Sequence, residues 1–188
     1  GNGSAQLYRL VFNESASFTN NYVYSENGIG DGGALYYDSS AASISLTSGT
    51  VFRNNSAQNL GGAIYLKAGT ITLNAVDSDI TFQDNRQGVS FDASFTPIAG
   101  TGVPNAIYLG TGGSLILNAE AGRKIHMHDP IASATNTNVV ITKTGEGEVI
   151  LYGDPSGLST LYDSNIRATT VVEGGYFTLS SGVGYGDT

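Results

Sequence analysis

Two short patterns recur along the chain in a fixed order, and this repetition limits the possible folds more than any other feature. Phe-x-x-Asn occurs three times, with spacings of 34 and 30 residues, at 18–21, 52–55 and 82–85. Gly-Gly-Ala plus an aliphatic residue occurs at 32–35 and 61–64, with a degenerate copy, Pro-Asn-Ala-Ile, at 104–107. Repeats of this length predict stacked units, none of which can bury its own faces alone.

Each repeat also contains a segment in which apolar residues lie two positions apart. These segments read SISL, TITL, SLIL and EVIL, and they begin at Ser43, Thr70, Ser114 and Glu148. A period of two residues is the period of a β-strand, and Gly, Asn, Asp and Ser, which form turns, separate the segments. The sequence therefore predicts an all-β fold, a single-stranded right-handed parallel β-helix (solenoid) of roughly five coils, with the handedness taken from the crossover rule.

Stacked coils give the repeated motifs a structural role. We expect Phe18, Phe52 and Phe82 to form a buried column, each worth roughly 1.5–3 kcal/mol. The matching asparagines should form an amide ladder, because a buried amide without a partner costs about 1–3 kcal/mol; they are Asn21, Asn55 and Asn85.

The glycine pairs predict sharp corners before the second strand of a coil, since glycine tolerates positive φ. The residues of these corners are Gly32, Gly33, Ala34, Gly61, Gly62 and Ala63. Alternation from the alanines favours a core position for Tyr36, Tyr65 and Tyr108; the alternative is an outward ladder of rings that could serve as a binding surface. In the fourth unit we expect Ile125 at the phenylalanine place and His128 at the asparagine place.

Composition excludes several classes of function. The chain has 188 residues with a net charge of −8, no cysteine and no basic run. A chain of this charge repels phosphate backbones and anionic lipid, which argues against nucleic-acid binding. No apolar run approaches the roughly 18 residues of a membrane span, so we expect no direct membrane insertion. No signal peptide opens the sequence, and we expect the chain to be part of a longer protein.

The long segment 86–103 is the candidate partner-binding loop. It contains Phe91, Phe95 and Pro97 with one basic residue. Loops that project from a solenoid usually make its contacts. The alternative is that this segment folds back as a flap over the core.

Residues that could carry chemistry are few. His126 and His128 share one face of a strand and are the candidate metal ligands, and Asp77 with Asp79 resembles the acid pair of a polysaccharide-cleaving enzyme. Asp31 and Asp38 are candidate ligands for Ca²⁺. Each arrangement is more simply a solvated polar turn or strand face, so we expect no metal, no cofactor and no catalysis.

The alternating motifs resemble those of the chlamydial polymorphic membrane proteins, which are type V autotransporters. The resemblance covers about residues 10–110 as repeat coils, and the remainder, 111–188, looks like more generic autotransporter coils, with Lys143–Leu151 and Thr170–Leu179 matching their pattern. The resemblance implies a surface-displayed β-helical passenger at the bacterial outer membrane that is exposed to the exterior or released. It also implies an adhesin whose motifs take part in adhesion.

The functional hypothesis is therefore a non-catalytic adhesion module that binds a host cell-surface protein receptor. One alternative is a structural stalk that self-associates as a homo-oligomer through its coil ends. The other is a polysaccharide-active β-helix enzyme that uses Asp77 or Asp79.

Overall fold

The computed structural model describes residues 8–135, 138–153 and 164–180, and all regular structure in these ranges is β. Within them there is no helix long and apolar enough to span a membrane. The strands are β1 (Tyr8–Val11), β2 (Ser17–Thr19), β3 (Tyr22–Val23), β4 (Leu35–Leu46), β5 (Val51–Arg53), β6 (Ser56–Ala57), β7 (Ile64–Ala75), β8 (Ile80–Gln83), β9 (Arg86–Gln87), β10 (Val103–Pro104), β11 (Ile107–Ala119), β12 (Lys124–Met127), β13 (Ile131–Ser133), β14 (Val140–Thr144), β15 (Glu148–Leu151), β16 (Thr169–Val172) and β17 (Tyr176–Leu179).

The strands are distributed in rotation among three sheets. Sheet A has the order β1-β4-β7-β11-β14-β16, with β13 also paired to β11. Sheet B has the order β2-β5-β8-β12-β15-β17, and sheet C the order β3-β6-β9-β10. All pairings are parallel except that between β9 and β10. The chain thus has the predicted all-β class with parallel sheets, an arrangement compatible with a β-helix.

Like residues stack in register inside the sheets. The ring centroids of Phe18 and Phe52 are 4.5 Å apart, those of Phe52 and Phe82 are 4.6 Å apart, and both pairs stack nearly parallel, with an interplanar angle of 5°. The predicted phenylalanine column is therefore present. Sheet A faces it with aliphatic rows, which run Ile44-Ile71-Leu115-Ile141 and Leu46-Leu73-Leu117.

The two glycines of each corner have different roles. Gly32 and Gly61 have a φ of +70°, as the prediction requires. Gly33 and Gly62 do not; instead, a Cβ at Gly33 would overlap the carbonyl oxygen of Gly62, and a Cβ at Gly62 that of Asn105. The second glycine is therefore set by the close approach of successive coils.

The corner also corrects the predicted position of the tyrosines. The N–H groups of Ala63 and Ile64 both donate to the carbonyl of Ala106, at 3.1 and 3.0 Å, so the chain bends between them and both side chains are buried. Alternation restarts at Ile64, which turns Tyr65 outward. Tyr36 is 47% exposed. The core placement was wrong because it assumed unbroken alternation through the corner.

The fourth unit uses a different register from the one predicted. Met127, not Ile125, pairs with Phe82, and Ile125 pairs with Ile80. Met127 is 1% exposed and extends the phenylalanine column with a flexible apolar side chain.

Candidate functional site

The three motif asparagines form a continuous ladder inside one corner. Asn55 is fully buried, and its Oδ1 accepts from the N–H and the Nδ2 of Asn21, at 3.1 and 2.9 Å. Its own Nδ2 donates to Asn85 Oδ1 at 2.8 Å and to the Phe18 carbonyl at 2.9 Å. Buried amides are satisfied here only because each coil supplies a partner for the next.

The ladder ends on a carboxylate, not on His128 as expected. Asp129 is 3% exposed, and its Oδ2 accepts from the N–H and the Nδ2 of Asn85, at 2.9 and 2.7 Å. Burial raises the pKa of Asp129 to about 6, although the hydrogen bonds from Asn85 act in the opposite direction. The asparagine place of this coil is therefore held by a residue that is partly protonated near neutral pH.

This raised pKa links stability to pH. An unfolded aspartate has a pKa of about 3.9, so the folded state binds this proton more tightly. The contribution of Asp129 is fully present below about pH 4 and is lost as pH rises through about 6. His128 acts oppositely, because burial, with the charge of His126, lowers its pKa, and stability then falls as pH drops below that of a free histidine.

Replacing Asp129 by asparagine separates these two effects. In D129N we expect Oδ1 to accept from Asn85 without the cost of a buried charge. The free energy of unfolding should rise by about 3 kcal/mol near pH 7.5 and by only about 1 kcal/mol near pH 4.5. Urea unfolding of both proteins at both pH values measures this. An equal gain at the two pH values would contradict the assigned pKa shift.

The candidate partner-binding loop contains a small β-hairpin. Phe91 and Pro97 form an antiparallel bridge, and Asp92 N donates to Thr96 O at 3.0 Å. Phe95 N donates to Asp92 O at 3.0 Å, and the carboxylate of Asp92 accepts from two further N–H groups, those of Ser94 and Thr96. The tip of this loop is thus held in one conformation before any partner binds.

Phe95 is the exceptional residue of that hairpin. Its φ is +60° and its side chain is 50% exposed. The position after a tight turn, in the left-handed region, is one where glycine is usual. A phenylalanine costs about 1–2 kcal/mol there because its Cβ approaches the following carbonyl. Phe95 therefore combines backbone strain with exposure of a large ring.

Phe95 belongs to a surface group of four rings, here called the aromatic cluster: Tyr22, Tyr24, Phe91 and Phe95. The centroid of Tyr24 lies 4.7 Å from that of Phe95 and 5.4 Å from that of Phe91, and Tyr22 lies 6.0 Å from Phe91. Pro97 is half-buried beside it. The loop packs on the core at one point, since Val89 is 4% exposed, while Phe95 at its tip is 50% exposed.

The histidine pair lies on the outer face of sheet B. His126 Nδ1 is 2.8 Å from the hydroxyl of Tyr152, and Nε2 is 3.1 Å from Asp79 Oδ2. The ring of His128 stacks on Tyr152 at 4.2 Å, and the two histidine rings are nearly parallel, 6.1 Å apart. Parallel rings do not converge on one point, and among the described residues no group of three or more His, Cys, Asp or Glu could hold a metal.

Three of the four candidate carboxylates for catalysis or Ca²⁺ make local contacts, and the fourth, Asp77, is exposed. Asp79 accepts from Lys124 N at 2.8 Å and from His126; burial raises its pKa, but these bonds outweigh that effect and leave the pKa below its ordinary value. Asp31 accepts from Asn59 and Leu60, and Asp38 forms an ion pair with Lys67 at 2.8 Å.

Two basic residues were missed as structural features by the sequence reasoning. Lys143 is fully buried and donates to three carbonyls, those of Thr144, Gly145 and Gly174, and burial lowers its pKa. The Lys-x-Gly-x-Gly pattern that begins at Lys143 is the sequence feature from which its structural role could have been predicted. Arg86 donates from Nε to Thr101 O and from Nη2 to Gly102 O, at 2.9 and 2.7 Å. These bonds tie the candidate loop to the corner, and no sequence pattern marks them.

Comparison with known proteins agrees with the motif reading. Residues 49–67 match the Chlamydia polymorphic membrane protein repeat. Probable outer membrane protein pmp8 of Chlamydia pneumoniae is 32% identical over 85% of this chain and 15% of its own length. Probable outer membrane protein pmp1 of the same species is 30% identical, over 80% of this chain and 16% of its own length. Probable outer membrane protein PmpG of Chlamydia muridarum is 38% identical over 63% and 12%, respectively.

These matches confirm the resemblance drawn from the two motifs, and the relatives' names as probable outer membrane proteins support the predicted outer-membrane location. The chain spans about one sixth of the length of the first two relatives. No solved structure matches it significantly.

Proposed function

The chain belongs to the Chlamydia polymorphic membrane protein family, and from this premise we propose that it is a non-catalytic adhesion module that binds a host cell-surface protein. The proposed fold is the complete right-handed parallel β-helix, displayed at the exterior of the outer membrane. Rotation of the strands among three sheets supports the helix, and the crossover rule supports its hand.

One observation carries the adhesive role: the exposed, strained Phe95 within the aromatic cluster. The motif residues stabilise the fold and are not accessible to a partner, since Phe52, Asn55, Phe82 and Asn85 are fully buried. The cluster instead offers rigid rings at the surface, and aromatic anchors dominate binding energy at protein interfaces. Because the hairpin has its own internal hydrogen bonds, little further ordering of the loop is needed when a partner binds.

Phe95→Gly tests this role with little expected change in stability. Glycine relieves the left-handed strain but gains unfolded-state entropy, so the free energy of unfolding should change by no more than about 1 kcal/mol. Saturable binding of the purified chain to host epithelial cells should weaken at least roughly tenfold, as for a central aromatic anchor. Fluorescence titration on cells measures it.

Two variants serve as controls for Phe95→Gly. Phe95→Tyr keeps the ring and should retain binding. Tyr176→Ser removes a ring that is 69% exposed on β17, outside the cluster, and should also bind as wild type. Wild-type affinity in Phe95→Gly would remove the cluster from the adhesive site. Absence of saturable binding by the folded wild-type chain would support the stalk or homo-oligomer alternative, which sedimentation at several concentrations would then test.

A further inference from the structure

A cleft beside the aromatic cluster has the chemistry of a small-ligand site. It has a volume of about 410 Å³, and its walls include Asn20, Tyr22, Asn54, Arg86 and Ile98. Sites for small ligands span about 300–1,000 Å³, so this cleft is of a size for one ring and its substituents. We propose that it binds an acidic sugar, with its carboxylate on Arg86, carried by the host surface molecule. This inference deepens the proposed function, on which it rests.

Arg86 is prepared to take a carboxylate. A guanidinium has five N–H donors in a fixed planar fork. Its Nε and one Nη2 donor are used by the carbonyls of Thr101 and Gly102, which fix the plane of the group. Among the described residues, Nη1 has no hydrogen-bond partner and the guanidinium makes no ion pair. The remaining edge, formed by Nη1 and Nη2, matches the two oxygens of one carboxylate.

The charge of the whole chain argues for a single carboxylate over a polyanion. The net charge is −8, so a highly charged polymer is repelled as it approaches. One half-buried arginine in the cleft neutralises one charge. The bidentate pair then supplies orientation as well as attraction, and the ligand must offer uncharged groups elsewhere.

Uncharged polar groups and an apolar wall complete the cleft. Asn54 Nδ2 donates to Asn20 Oδ1 at 2.6 Å, which leaves Asn54 Oδ1 and Asn20 Nδ2 without partners among the described residues. An acceptor and a donor side by side suit neighbouring hydroxyls. Tyr22, 52% exposed, and Ile98, 44% exposed, offer apolar surface to the face of a sugar ring. Both asparagines have positive φ, 58° and 53°, and the hydrogen bond between them orients the two amides relative to each other.

The test compares acids with their neutral esters on the unaltered protein. Amide and arginine side-chain signals of the ¹⁵N-labelled chain are followed while glucuronic acid or N-acetylneuraminic acid is added, and then the methyl ester of each. We expect saturable shifts at Arg86 Nε and the Asn54 amide with at least one acid, and binding at least roughly tenfold weaker for its ester. Equal binding of acid and ester, or shifts only elsewhere, would overturn the proposal.

Variants and a second ligand narrow the assignment. Arg86→Gln should weaken the acid at least roughly tenfold, and the ester comparison stands even if this variant misfolds. Asn54→Gly, which suits the positive φ, should weaken it severalfold with the fold intact. A glutamate-containing tripeptide that binds as tightly as the sugar acids would overturn the sugar class. If no acid binds while Phe95→Gly still loses cell binding, this inference fails and the proposed function stands.

Discussion

Gly62→Ala is expected to destabilise the protein strongly although it adds only one methyl group. Its Cβ would overlap the carbonyl oxygen of Asn105 and lie 2.6 Å from Arg86 N, both backbone atoms of the next coil. Neither atom can move without separating the coils, so we expect the free energy of unfolding to fall by about 3 kcal/mol or more. Chemical denaturation followed by circular dichroism measures the loss.

Gly88→Ala is the matched control for this change. Gly88 has a φ of +66° and no atom within 4 Å of a built Cβ, so alanine there meets backbone strain alone. That strain costs about 1–2 kcal/mol. A Gly62→Ala protein no less stable than Gly88→Ala would mean that the coils do not approach as closely as the structure shows.

Asn55→Ala should lower the free energy of unfolding by a similar amount, because it breaks the amide ladder at its middle. The substitution removes four hydrogen bonds and leaves the Phe18 carbonyl and the Asn21 N–H without their partner. Unpaired buried polar groups cost about 1–3 kcal/mol each, so we expect a total loss of roughly 3–5 kcal/mol. Adjacent coils should fray with it, since each coil is stabilised by its neighbours.

Asn54→Gly controls for the neighbouring position. Asn54 is exposed, forms one side-chain hydrogen bond to Asn20, and has a φ of +53° that glycine tolerates. Its loss should cost less than about 1 kcal/mol. Cell binding of Asn55→Ala adds a second result. A fully folded Asn55→Ala protein that no longer bound host cells would make the motif a direct contact and contradict its scaffold role.

The position of a residue in the fold could be predicted from the sequence wherever identical residues stack on one another. A column such as Phe18-Phe52-Phe82 leaves its period in the chain, because every coil needs the same residue at the same place. The outward turn of Tyr65 leaves no such trace, since it depends on a bend between Ala63 and Ile64 that breaks two-residue alternation.

Unlike residues that replace one another were harder to predict. Asp129 occupies an asparagine place because a carboxylate oxygen accepts the same two N–H groups as an amide oxygen, although it follows Met127, at the phenylalanine place, by two positions where the motif has three. The hairpin strain at Phe95 was hidden for a related reason. The chain at 92–95 carries no glycine where the backbone conformation favours one, so the sequence signal was missing.

The antiparallel pairing of β9 with β10 has a consequence for how this surface can change over time. Gln87 pairs with Val103 and Arg86 with Pro104, so the segment between them leaves and rejoins the same corner. The free-energy cost of closing a loop there rises only slowly with its length, by about 0.6 kcal/mol for each doubling. The segment between β9 and β10 can therefore vary in length while the stacked coils stay the same. A segment of different length or sequence between β9 and β10 would leave the phenylalanine column and the amide ladder in place.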